Sequence, residues 1–588
     1  MGLLILEPWN RGEPVPGTED IYEKDNVIKE ISAKLKKRGD IILVPQPTDD
    51  PNDPLNWPLW KKDCILGVLC LISLIASTLS PLLAANTVTI TIYLTRTFTD
   101  VALLTGYHLL AVGASGFLFV ASARVYGKRH LYLLGTLLII GSSAFGGFAT
   151  PHATRAEKDR SYTWLLIARV LQGVGLAPFE ALVNVTVGDM YFVHERGLRM
   201  AASNMSLFGG AFFTPIIVGK ITATIGWWWT FWFIAIFAGA IFPLIFFYCP
   251  ETTYERPEQQ ALEGDLNTLR QYYDPGRVGQ QEKSFVPTDS SNNSTTGARS
   301  SPPPPPPRYE EVAPARHESA GPTGHERVVP TVKMSYLRSL LPIDRIHTHE
   351  NPLKLVLRPF PLFFHPAILW ACLIQGAMIG WTVMMGVVLA AIFLGPPLWF
   401  DEVITGYMYT GPFIGAVIGF ILSGFFSDYS TKVMIKWNNG IYEPEFRLLL
   451  VIPQLVFGAI GLYGFGWAAA NVQPDGYVTP DIFFALEVIA MINGAVASAL
   501  YIVDAYRDIQ VEAFTCLLIF KNIFSFGLTW SAYNWLIHSG QNAIFKIFVA
   551  LGSVQIGICL LTLPMWFFGK FLRAYMHRHD ILKFCGLK

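Results

Sequence analysis

The chain has 588 residues, of which 52% are hydrophobic, 14% aromatic and only 15% charged, a composition that belongs to membrane spans and not to a string of soluble domains. Lys plus Arg and Asp plus Glu each number 44, so no net field points to nucleic acid, and the placement of basic residues along the chain carries the information instead. The seven cysteines are scattered and none forms a C-x-x-C pair, which gives neither a disulfide framework nor a metal site.

Residues 1–60 read as a polar tail with a short charged helix-like run near Asn26–Lys37 and a proline-broken end, DPNDPLNWPLWKK. No positively charged start followed by an apolar core and a cleavage site occurs there, so no removable signal peptide is expected. Trp57, Trp60, Lys61 and Lys62 have the chemistry of a headgroup anchor. Apolar runs long enough to cross a bilayer follow at 63–86, 101–122, 130–149, 162–191, 198–222 and 229–249. Six more come at 363–394, 405–427, 446–470, 480–505, 513–537 and 543–569. Two sets of six, at 61–254 and 361–570, predict an all-α membrane protein of two six-helix bundles, with a largely disordered loop at 255–360 and a tail at 571–588. Basic residues gather in alternate connections: Arg124, Lys128 and Arg129; Arg196 and Arg199; the central loop; Lys432 and Lys436; Arg507; and Lys570, Arg573 and Arg578. The positive-inside rule makes those connections, and both termini, cytoplasmic. HATRAEKDRS, at 152–161, is the one dissenting loop.

Span four, from Tyr162, carries Arg169, Gln172, Glu180 and Asn184 at bilayer depth. Gln172 lies at i+3 from Arg169 and Glu180 at i+11, so the polar groups share a face. An unpaired charge in hydrocarbon costs several kcal/mol, so that face is expected to meet a water-filled cavity or partner helices. An internal Arg169 to Glu180 lock is the alternative. Span ten holds Glu487, Asn493 and, near its end, Asp504; span eleven holds Lys521 and Asn522. Depth alone makes Asp504 the expected structural partner of Lys521, with a substrate or coupling role as the alternative. Trp381, Tyr407, Tyr409 and Tyr533 are candidates for stacking on a solute, although membrane aromatics also serve as interface anchors.

The residues Arg169, Gln172, Gly173 and Gly175 form R-x-x-Q-G-x-G, and with APFEALVN and GDMYFVHERG after them the segment resembles the fungal drug:proton antiporter branch of the major facilitator superfamily. Other stretches are similar to the same group: Gly127, Lys128 and Arg129 after span two; Asn438, Gly440, Pro444, Glu445 and Arg447 after span eight; and Pro250, Glu251 and Thr252 after span six. The loop motif departs from its pattern, since Val120 and Arg124 stand where its leading Gly and its Asp belong, whereas the second half keeps Gly424 and Asp428. On that basis a loop latch is expected only in the second half. The resemblance implies gating roles for Lys128, Arg129, Asp189, Arg196, Asp428 and Asp504. Span five, with Gly209, Gly210, Pro215 and Gly219, matches the antiporter signature in part, Thr214 replacing its central glycine.

No enzyme is indicated. The three Gly-Lys pairs are followed by Arg129, Ile221 and Phe571, so no phosphate-binding loop exists, and no nucleophile elbow or H-E-x-x-H occurs. No cofactor is expected. The resemblance implies alternating access driven by a proton gradient. Glu180 is then the proton-exchanging group, Arg169 tunes it, and Gln172, Asn184, Trp381, Tyr407, Tyr409, Glu487, Asn493, Lys521, Asn522 and Tyr533 are the candidate substrate cavity. Export of a drug or metabolite, uptake of an organic cation such as a polyamine, and solute sensing without transport all remain open. Pro306, Pro307, Arg308 and Tyr309 make a P-P-x-Y string that a WW-domain ubiquitin ligase could bind, with a plain linker as the alternative.

Overall fold

In the computed structural model, residues 3–7, 15–20, 36–38, 41–149, 162–254, 333–348, 350–394, 398–472, 477–538 and 542–587 are described. The dissenting loop, the P-P-x-Y string with Pro306, Pro307 and Tyr309, and most of the central connection lie outside them. So does the side chain of Tyr533.

Twelve spans are present among the described residues. In the first half α1 is Leu59–Ser77, α2 Phe98–Tyr126, α3 Arg129–Ala149, α4 Tyr162–Met190, α5 Arg196–Ile225 and α6 Trp229–Tyr248. In the second, α7 runs through Pro366–Ala371, a π-helical turn Cys372–Ala377 and Met378–Leu394; α8 is Thr410–Trp437, preceded by Glu402–Tyr407; α9 is Val451–Ala470, α10 Val478–Ala505 and α11 Gln510–His538. The last span, α12, is Ala543–Leu560 and continues as Thr562–Arg578. Eleven of these are long and apolar enough to cross a membrane. The exception is α1, in which any 18-residue window includes Lys61, Lys62 and Asp63. It also stops early: turns occupy 78–86 before helix resumes at Thr87–Leu94. Helices are required here because hydrocarbon offers the backbone no hydrogen-bond partner.

Burial sorts the helices into layers. Along α8, Ile414, Ile418, Ile421 and Phe425 form an exposed stripe at helical spacing, as do Ile236, Phe237 and Phe247 on α6, the pattern of a surface that faces lipid. By contrast α10 is enclosed for most of its length, packed by α8 and α9. The two halves meet along two long seams, α2 against α11 and α5 against α8.

Glycines set how closely these helices approach. A Cβ on Gly173 would lie 2.3 Å from the His108 carbonyl oxygen of α2, and one on Gly135 of α3 would lie 2.9 Å from the Gly175 carbonyl oxygen. The spacing Gly173-x-Gly175 therefore lets α4 touch α2 and α3 backbone to backbone. On α5, Gly210 meets the Leu74 carbonyl of α1 and Gly219 meets the Glu402 carbonyl from the other half.

Both chain ends lie on one face, called here the terminal face. Leu6 N–H donates to the Phe567 carbonyl at 3.0 Å, Thr18 donates to Glu443 at 2.6 Å, and Glu19–Asp20 pairs antiparallel with Ile441–Tyr442. Burial pushes the Glu443 carboxyl up, but Arg573 and Lys570 beside it outweigh this and hold it below the usual carboxylate range.

Candidate functional site: a carboxylate cavity between the halves

A cavity of about 180 Å³ lies between the halves, lined mainly by apolar side chains of α1, α2, α4, α5, α7, α10 and α11. Its aromatic wall includes Phe98, Phe208, Phe212, Tyr409 and Phe484. One carboxylate, Glu180, reaches it among the described residues, together with Lys521 and Asn522 from the opposite half. Lys521 Nζ sits 2.8 Å from Glu180 Oε2, and the Asn522 amide donates to the same oxygen at 3.0 Å. α4 and α11 are thus tied across the seam by an ion pair that is nearly buried, with side-chain exposures of 8% and 13%.

This pair corrects the expectation that Lys521 is held by Asp504. The two belong to adjacent spans, but Asp504 is committed at the terminal face, where Arg196 donates to it at 2.7 Å, Arg447 at 3.1 Å, and the Tyr442 hydroxyl as well. Nor is there an Arg169 to Glu180 lock. Eleven residues at about 1.5 Å rise put the two some 16 Å apart along the helix axis. Arg169 is buried and donates to the Leu79 carbonyl at 2.6 Å and to Gln172 Oε1 at 3.0 Å. Its guanidinium therefore satisfies carbonyls that the break in α1 has released. Gln172 passes the network on to Ser143 at 3.0 Å. His108, a residue the sequence reading passed over, bridges Ser80 and the Arg169 carbonyl; a lone histidine in the otherwise uncharged middle of α2 was the available signal.

The remaining candidates divide. Tyr409 lines the cavity and donates to the Gly386 carbonyl at 3.3 Å. Trp381 is buried behind the wall and donates to Gln555 at 3.0 Å. Tyr407 is exposed at the end of the short helix Glu402–Tyr407, Asn184 accepts from Ser203 at 2.6 Å, and Asn493 donates to its own helix at the Ile489 carbonyl. None of these four is in the cavity wall. Glu487 is also set back from it, fully buried, and accepts from or donates to Thr382, a wall residue, at 2.6 Å.

The terminal face is closed by charged groups. Asp504 joins Arg196 of the first half to Arg447 of the second, all three buried, and Arg447 also donates to the Val193 carbonyl at 3.1 Å. Asp428 sits on the start of α5, where a Cβ on Gly197 would collide with its carboxylate and the Leu198 N–H donates to it. Lys128 pairs with Asp189, to which Gln510 donates from across the seam at 2.9 Å. Arg124 pairs with Glu512 of α11.

The expectation that the first-half loop lacks a latch is also corrected. Glu251 takes the place of the missing aspartate, its Oε2 accepting the backbone N–H groups of Lys128 at 2.8 Å and Arg129 at 2.9 Å at the start of α3. Burial pushes this carboxyl up, but the N–H donors of Arg129, Thr253 and Lys128 more than offset it and hold it below its ordinary value. Gly127, at φ 85°, is where a Cβ would strike that carboxylate. Arg129 itself donates to carbonyls at the end of α6, including Phe246 at 2.7 Å.

Two six-helix halves around a cavity, sealed at one face by ion pairs across the seam, are the architecture of a membrane transporter. The Major Facilitator Superfamily profile matches residues 65–520, and the chain belongs to that family. It is 26% identical over 578 residues to an uncharacterized MFS-type transporter, C1271.10c, of Schizosaccharomyces pombe, covering 97% of this chain and 94% of the relative. It is also 26% identical over 590 residues to Protein HOL1 of Saccharomyces cerevisiae, covering 97% of each. The fold is similar to that of the proton:xylose symporter XylE, with a TM-score of 0.53 at 14% identity, covering 87% of this chain and 96% of that one.

Proposed function

We propose that the protein is a proton-coupled carrier of a small, amphipathic organic cation, with Glu180 as the group that binds the cation. The observation that carries this reading is the Glu180–Lys521 pair facing a mainly apolar and aromatic cavity. Lys521 presents to Glu180 the same ammonium chemistry that a cationic solute would bring, so solute and Lys521 compete for one carboxylate. Phe208, Phe212, Tyr409 and Phe484 then offer cation–π and stacking contact, each about 0.5–2 kcal/mol. At about 180 Å³ the cavity is smaller than ordinary ligand pockets of about 300–1,000 Å³. Admitting a solute therefore requires the halves to separate on one face.

If a proton also competes for Glu180, cation and proton exclude each other and the carrier is an antiporter. With the terminal face cytoplasmic in a plasma or vacuolar membrane, an inward or lumen-to-cytoplasm proton gradient then drives the solute out of the cytoplasm. The second reading is uptake, which needs the proton and the cation on different groups. The already compensated charge of Glu180 favours it. The test is flux of labelled organic cations in sealed proteoliposomes with an imposed pH gradient. Antiport follows an opposing proton gradient, uptake follows a parallel one, and binding with no flux in either would mark a sensor. Glu180→Gln is expected to abolish gradient-driven accumulation, and an unaltered pH dependence in that variant would end the assignment.

A further inference from the structure

Among the described residues Glu487 has no charged partner. It lies in the middle of α10, fully buried, with Oε2 unpartnered, and the one side-chain hydrogen bond it makes among the described residues joins Oε1 to the Thr382 hydroxyl of α7 at 2.6 Å. The backbone of α9 closes one side of it, where a Cβ on Gly461 would lie 2.7 Å from the Glu487 nitrogen. Among the described residues no ion pair joins Glu487 to a charged group of the surrounding helices, and the main ones are engaged elsewhere. Asp481 of the same helix accepts from the Gly411 N–H at 3.1 Å, Lys521 of α11 is held by Glu180, and Arg196 of α5, Arg447 and Asp504 form the terminal-face seal. Asp428 of α8 sits with that seal, and the described parts of α7 and α9 carry no charged residue.

Thr382 limits what Glu487 can be. Its hydroxyl has one hydrogen and three acceptors in reach: the Met378 carbonyl of its own helix at 2.9 Å, Met491 Sδ at 3.3 Å and Glu487 Oε1. As a carboxylate, Glu487 would hold a full negative charge in this enclosure on one hydrogen bond, and isolated buried charges neutralise themselves instead. As the acid, its Oε1–H donates to Thr382, whose own hydrogen then goes to the Met378 carbonyl, so both hydroxyl hydrogens are used.

We propose that Glu487 is carried as the neutral acid in this conformation and is a proton-carrying site separate from Glu180, exchanging with the cavity through Thr382. Thr382 and Met491 both belong to the cavity wall; Thr382 touches Glu487 Oε1, and Met491 Sδ in turn lies 3.3 Å from the Thr382 hydroxyl. The transfer balances with water as the acceptor: Oε1 gives its proton to Thr382 Oγ1 while the hydroxyl's own hydrogen leaves Met378 for a water molecule entering the cavity, and the carboxylate left behind takes a proton from hydronium by the reverse route. The inference goes beyond the cation reading, because it holds whatever binds at Glu180. It also supplies the separate group that uptake would require.

Infrared spectroscopy of the reconstituted full-length protein tests this without any solute. Protein labelled with ¹³C-glutamate should show an isotope-shifted carboxylic acid C=O band at neutral pH. That band is expected to be lost in Glu487→Gln and retained in Glu180→Gln. Absence of a labelled acid band from the parent protein overturns the proposal however the variants fold, and so does its persistence in a folded Glu487→Gln. Thr382→Val should keep the band but exchange its deuterium more slowly, and exchange at the parent rate would overturn the route through Thr382. Loss of cation flux in Glu180→Gln with the acid band intact separates failure at one carboxylate from failure at the other.

Discussion

At the scale of single residues, the contact between Lys521 and Glu180 is costly to break. Removing one member of a nearly buried ion pair strands the other, at a cost of about 3–5 kcal/mol. The cavity beside this pair admits some hydration, so the lower end of that range is expected. Lys521→Met should therefore lower the melting temperature of the purified protein clearly, with Asn522 alone left to serve the carboxylate. The double variant Lys521→Met with Glu180→Gln should recover most of that loss, since no charge then remains uncompensated. Additive losses in thermal unfolding would mean that the two do not act as a pair. That Glu180 and Lys521 are charges at bilayer depth and need partners is legible in the sequence. Their partnership is not, because similarity of depth along two spans is not proximity. Lys521 was assigned to the neighbouring span, whereas its partner lies across the seam in the other half.

At the scale of elements, the span count was legible because hydrocarbon thickness and helical rise leave little freedom in length. Less legible was which polar residues point at the cavity. Arg169 and Glu180 lie on one face by periodicity, yet they meet different neighbours because α1 is interrupted at 78–86 and offers Arg169 its carbonyls. No apolar pattern announces such a break. The glycines of α4 were recognisable only as part of a motif, and the structure supplies their reason. Gly173→Ala would place a methyl group 2.3 Å from a backbone carbonyl that cannot rotate away, an overpacking cost of about 1–3 kcal/mol. Gly141→Ala on α3 is the matched control, because nothing lies within 4 Å of its Cβ, and there the helix should gain slightly from the better helix former. Equal melting temperatures for the two variants would contradict the close contact between α4 and α2.

At the scale of the whole molecule, buried charges join the two halves at the terminal face, and they are expected to control opening there. Separating the halves there requires Arg196 to leave Asp504, Arg447 to leave the Val193 carbonyl, and Asp428 to leave the start of α5. Asp504 is the common anion, so its neutralisation affects both halves at once. In Asp504→Asn the guanidinium groups of Arg196 and Arg447 lose the charge that holds them together and repel across the seam. The N-terminal segment adds a second closure: Ile5 and Val44 pack with Val193 of the first half and Met434, Tyr442 and Phe446 of the second, while Gly17, at φ 83°, lies against the Asp504 carbonyl. A ligand or mutation moves a two-state equilibrium only by its difference in free energy between the states. Loss of the buried anion should accordingly move the population toward a conformation open on the terminal face. Spin labels placed after α2 and after α8, one on each half, should report a longer distance in Asp504→Asn, and deletion of residues 1–20 should shift it in the same direction by less. An unchanged distance distribution in Asp504→Asn would mean that the seal is carried by the packing of α2 on α11 and α5 on α8, with the charges only decorating it.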